Sequence, residues 1–150
     1  MSGTRIGVRA LTMQQPFAAA MVANVGLFSR RGRPTKFPSE GEWVAVHCGI
    51  NDEHVKNSKL MAAVRAAWPD CPSDTELRKH QGAILGLVHF VDGNVNANVA
   101  AKECPMLQLY DCQKPVCWRA DCAVKATKQE GSGMFGWSYP RGALQVWVPT

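Results

Sequence analysis

Apolar positions along this chain fall in short runs separated by polar, glycine- and proline-rich stretches. Ala10 to Met13 is short, apolar and partly β-branched, which predicts a strand ended by Gln14-Gln15-Pro16. Pro16 suits the opening of a helix, where its missing N–H leaves nothing unpaired. Phe17 to Val25 is rich in alanine and apolar almost all round, so it reads as a short buried helix closed near Gly26. Trp43 to Cys48, Gly82 to Val91, Val116 to Val124 and Ala143 to Val148 read as four further strands, with Gly86 marking a bulge or close approach. Between the second and third strands, Val55, Leu60, Met61, Val64 and Trp68 form an apolar stripe at helical spacing. That helix is expected to start at an Asp52 cap and to stop at Pro69.

The remainder reads as connections. Residues 1–9 form a loose, flexible basic leader, 29–42 a glycine- and proline-bearing loop, 69–81 a polar link, 92–115 irregular chain and 125–141 a second glycine-rich connection. About five strands and two helices that do not alternate regularly predict an α+β fold with a mixed or antiparallel sheet, open or closed as a small barrel. At 150 residues the chain suits one domain, here 10–150 after the leader.

Charge changes the picture more than composition does. The chain carries 17 Lys and Arg against 12 Asp and Glu, for a net charge of +5. Arg30, Arg31, Arg33 and Lys36 fall within seven residues, and no acid occurs before Glu40. Such a cluster either contacts phosphates, which the planar guanidinium fork fits bidentately, or is a solvated basic loop. Six cysteines form no CxxC pair and match no common zinc spacing, so free thiols are expected, with no metal and no cofactor. No apolar run approaches the ~20 residues a membrane span needs, and no signal peptide is visible; a soluble protein of the cytoplasm or nucleus is expected. Phosphate-binding glycine loops, nucleophile elbows and HExxH metal motifs are absent from the sequence.

Several segments, taken in order, resemble the ASCH domain of the PUA-like superfamily. Leu11-Thr12-Met13-Gln14-Gln15-Pro16-Phe17-Ala18 is similar to its LSxxQPWA opening. Glu42 to Gly49, Gly82 to Asp92, Cys117-Trp118 and Pro140 to Val148 are similar to its later strands. The likeness is closest to the eukaryotic cointegrator and EOLA-like branches. It implies a small PUA-like β-barrel of about five strands flanked by two or more helices, with a cleft beside the first helix. It also implies RNA or single-stranded nucleic acid as partner, with a protein partner in transcription or RNA processing as a further expectation. Some members of the family hydrolyse a modified cytidine, and a nuclease activity has been suggested for others.

The chain departs from the family at the GxKxxExR motif after the first helix. Gly26 stands where the Lys belongs and Ser29 where the Glu belongs, with Arg31 kept. Glycine has no group to take or polarise a proton, so catalysis of the family's kind is not expected. Binding then falls to Arg30, Arg31, Arg33 and Lys36 for phosphates, with His47 and Gln15 lining the same cleft. Ser29, Lys36 and His47 are the nearest candidates for a small amidohydrolase or nuclease. His47 either donates to a base or phosphate or is a satisfied structural histidine. Gln14 and Gln15 carry amides suited to base edges, or one of them caps the helix. Trp137 and Tyr139, beside Phe135, either stack a splayed-out base or fold back over the core.

Overall fold

A computed structural model describes residues 3–23, 28–31, 41–96, 116–125 and 144–149, with side-chain surroundings for 7–23 and 41–91. The elements in chain order are β1 (Gly3–Met13), α1 (Phe17–Val22), β2 (Phe28–Arg31), β3 (Glu42–Cys48), α2 (Glu53–Lys56), α3 (Ser58–Ala67), α4 (Asp74–Lys79), β4 (Ile84–Asn96), β5 (Val116–Lys125) and β6 (Leu144–Pro149). The strands form one six-stranded sheet in the order β2-β5-β4-β3-β1-β6. Among the described residues only β1 and β3 run parallel, and the other ladders are antiparallel. The fold is therefore α+β with a mixed sheet. No ladder joins the edge strands β2 and β6 among the described residues, so the sheet is not closed there into the expected barrel.

Period-two alternation explains how β1 and β3 bury both of their faces. Leu11, Met13, Val44, Val46 and Cys48 enter one core cluster, while Val8, Ala10 and Ala45 enter another, with Trp43 packed against the latter. On β4 the alternation slips. His47 pairs with Ile84 and Val46 with Gly86, so Leu85 is left as an extra residue. Such a bulge shifts the side-chain phase by one, which puts Ile84 and Leu87 in the second cluster and Leu85, Val88 and Phe90 in the first.

Helix α1 covers the first cluster. Phe17, Ala18, Ala20, Met21 and Val22 are all buried against the sheet, as an apolar alanine-rich helix requires. The other helices gather beside it. Val55, Met61 and Leu77 pack together with Ala19 at their margin, and the Phe17 ring meets His54 edge-on at 5.5 Å.

Five readings of the sequence are corrected here. Residues 3–9 are not a loose leader, because Gly3–Val8 pair with β6 and Arg9–Met13 with β3. Arg9 also grips Glu42 through two hydrogen bonds of 2.9 and 2.6 Å. Residues 28–31, placed largely in a loop, form an edge strand paired with β5. The single helix expected from Asp52 to Trp68 is two helices separated at Asn57. Asp52 occupies the first N-cap position without a side-chain cap, and Asn51 Oδ1 accepts from Glu53 N at 2.9 Å in its place. The polar link 69–81 contains α4, capped by Ser73, whose hydroxyl accepts from Glu76 N at 3.3 Å. Finally, residues 92–96, read as irregular, continue β4.

Candidate functional site

The parallel pair β1 and β3 delivers two polar side chains to its carboxyl end. Thr12 and His47 are register partners, and Thr12 Oγ1 lies 3.1 Å from His47 Nδ1. Thr12 is exposed, whereas His47 is only 9% exposed. Burial pulls the His47 pKa below its ordinary value, while a hydrogen bond to the Gly82 backbone works weakly the other way. The imidazole is therefore neutral at pH 7, a state in which one ring nitrogen donates and the other accepts.

The turns around this end are tight. Gly82 has φ of 82°, a left-handed conformation that suits glycine, and its N–H donates to Cys48 O at 2.7 Å. Gly49 N–H donates to Met13 O at 2.8 Å, and a Cβ at Gly49 would stand 3.3 Å from the Thr12 methyl and 3.9 Å from Gln14 Cγ. Two amide atoms in this region, Gln14 Oε1 and Gln81 Nε2, are buried and find no hydrogen-bond partner. A buried polar atom left so costs ~1–3 kcal/mol. Gln81 was missed in the sequence. Its signal is faint: a glutamine just before a glycine that opens a strand.

Gln15 has the capping role. It is 1% exposed, its Oε1 accepts from Ala19 N at 3.0 Å, and its Nε2 donates to Leu77 O at 3.2 Å. The side chain thus satisfies a free N–H at the start of α1 and ties that helix to α4. Both ends of the amide are spent on backbone inside the protein, so it does not line an open cleft. Cys48, next to His47, belongs to the other face. Its thiol is buried, pushed up to about 11 by burial, and is no nucleophile at neutral pH.

The ladder register separates the remaining candidates from His47. Ser29, Arg30 and Arg31 sit on β2 opposite Trp118, Cys117 and Val116. Val116 in turn faces Asn96 of β4, whereas His47 faces Ile84. Arg31 and His47 thus stand at opposite ends of β4, ~40 Å apart along a straight strand at ~3.3 Å per residue. Register shifts along β4 bend it and shorten that span. The expected single cleft shared by Arg31, His47 and Gln15 is not what the ladders build, and Ser29 and His47 are not gathered as a catalytic pair. Gly26, Arg33, Lys36, Trp137 and Tyr139 lie outside the described residues.

Charge is segregated between the two halves of the architecture. Residues 50–81, which carry α2, α3 and α4, contain five acidic and five basic residues, so the whole net charge of +5 resides elsewhere in the chain. An open groove of about 560 Å³ does run along these helices, lined in part by Lys56, Arg65, Arg78 and Asp74. Its cations are already engaged. Arg65 meets Asp74 at 2.6 Å, and Asp52 meets both Lys56 at 3.3 Å and Arg78 at 3.4 Å. The groove therefore offers a polyanion little, and the basic excess lies on the strands and their connections.

Among the described residues no helix is long and apolar enough to cross a membrane. No family model matches the chain, and no curated protein matches it either.

Proposed function

We propose that this chain is a PUA-like domain of the ASCH type that binds RNA or another single-stranded nucleic acid, without catalysis of its own. The observation that carries the reading is the charge segregation: residues 50–81, which hold α2, α3 and α4, are neutral, and the whole positive excess lies in the rest of the chain. Before Glu42 six Lys or Arg stand against a single acid, Arg9 among them being paired with Glu42, and β2 brings Arg30 and Arg31 to the sheet edge. Affinity for a nucleic acid comes mostly from such phosphate contacts. The fold side of the reading rests on the α+β architecture, a mixed sheet whose strands bury apolar residues on both faces, although no ladder closes it among the described residues. Against an amidohydrolase or nuclease stand Gly26, which has no side chain, and the separation of Ser29 from His47.

The test is retention of a fluorescent single-stranded RNA of ~20 nucleotides at low salt, repeated along a salt series. The intact protein binds, and its affinity falls steeply with salt. Changing Arg30, Arg31 and Arg33 together to Ala abolishes retention at intermediate salt. With ~0.7 in slope per phosphate contact on a single strand, it also flattens the log-log salt dependence by about 2. Absence of binding by the intact protein at low salt overturns the reading.

A further inference from the structure

The open groove of about 560 Å³ along the helices lies within the ~300–1,000 Å³ range of clefts that hold ligands. Ser58, Met61, Ala62 and Arg65 line it from α3 at helical spacing, so one face of that helix forms a wall. Asp74 and Arg78, one turn apart, line it from α4, and α2 contributes Val55 and Lys56. Val55 and Met61 are almost wholly buried, and with the exposed Ala62 they give the groove an apolar part.

Charge in this neutral segment is unevenly placed. Of the five basic residues in 50–81, Lys56, Arg65 and Arg78 line the groove, and of the five acidic ones Asp74 alone does. The ion pairs with Asp74 and Asp52 hold these cations in position without exhausting them. Arg65 spends a single nitrogen, Nη2, on both Asp74 Oδ1 and Pro72 O, whereas a guanidinium carries five N–H donors. Arg78 meets Asp52 through Nε at 3.4 Å, which leaves the fork of its two terminal nitrogens for a carboxylate.

We propose that this groove docks an acidic segment of a partner protein, with one apolar side chain against Ala62 and Met61 and one carboxylate on the Arg78 fork. Asp52 and Asp74 answer two of the three cations, which leaves too little charge for a row of phosphates but suits a single carboxylate. Cations already held by ion pairs also lose less freedom when the segment arrives. The inference is independent of the nucleic-acid reading, which rests on residues outside 50–81.

The experiment immobilises the full chain and pans a displayed library of random peptides. Enriched sequences are expected to carry Asp or Glu within a helical turn of Leu, Ile, Met or Phe. The most enriched peptide, made with a fluorescent label, should bind the natural chain with an affinity that falls with salt. A62W fills the groove from an exposed helix position, and R78Q removes the fork. Each should weaken that peptide about tenfold while circular dichroism stays unchanged. RNA retention should be the same in A62W as in the natural chain. If A62W does not fold, R78Q, a change at an exposed side chain, decides alone. Three results overturn the inference. The first is that no peptide is enriched, or that enriched peptides lack an acid. The second is unchanged peptide binding in either folded variant. The third is that the fluorescent RNA displaces the peptide and loses retention in A62W, which would give the groove to nucleic acid.

Discussion

His47 and Gln15 show how far a single side chain can be read from its neighbours. At His47, burial lowers the pKa and a hydrogen bond to the Gly82 backbone raises it, and burial wins. Its folded pKa lies below the unfolded value of ~6.5. The neutral ring therefore favours the folded state fully above that value. The contribution is lost as the pH falls through the folded pKa, because the unfolded chain takes up the proton first. The difference in unfolding free energy between the natural protein and H47Q, measured by urea denaturation, should accordingly shrink between pH 7 and pH 5. A difference that stays constant would mean that folding does not shift the ring's pKa, and one that grows would place the imidazole in a charged role. Gln15 was legible as a residue of consequence but not in its role. A glutamine before Pro16 announces either a helix cap or a base reader. Only the fold, which brings Leu77 O to its Nε2 from 62 residues away, chooses between them.

At the level of elements, local chemistry decided boundaries that hydrophobic spacing did not. The stripe from Val55 to Trp68 has helical spacing throughout, yet the chain breaks at Asn57, whose backbone is extended at φ −81° and ψ 96°. Its side chain accepts from Leu60 N at 3.0 Å and starts α3. Asparagine inside a helix competes for backbone groups, and at an N-cap the same competition is an advantage. N57A should therefore lower the unfolding free energy by ~1 kcal/mol. D52A removes only surface ion pairs and no cap, so it should cost less than N57A. Equal losses in chemical denaturation would reverse the assignment of the caps. The strands were more legible than the helices. Alternation in β3 and β5 fixed both to within a residue or two, and Gly86 lies beside the bulge it suggested. Length was not legible. β1 and β4 extend well past their apolar cores, because pairing with distant strands rather than local propensity holds those ends.

For the whole molecule, the site was legible as residue types but not as geometry. The basic cluster and His47 stand out in the sequence, yet their separation along β4 is a matter of register, which one sequence does not display. Register also governs the largest correction, the amino-terminal segment. Its Arg5 and Arg9, and two glycines, suggest a leader in solution. The ladders instead make β1 a strand with two partners, β6 along Gly3–Val8 and then β3 along Arg9–Met13. Val8 is fully buried in the second core cluster, a burial that contributes ~1.5–3 kcal/mol by itself. Among the described residues β6 has no ladder other than the one with β1, so deleting residues 1–8 removes both that burial and the pairing of β6. The deletion should lower the unfolding free energy by more than ~3 kcal/mol and release the β6 amides to fast hydrogen exchange. A true leader would come off with a change inside ~0.5 kcal/mol and β6 still protected, and that result would return residues 1–8 to solvent. RNA retention measured on the same deletion, at a temperature where it remains folded, then separates the two duties of this segment. Loss of stability with the salt slope intact would confine it to holding the sheet. A flatter slope would show that Arg5 also meets phosphate.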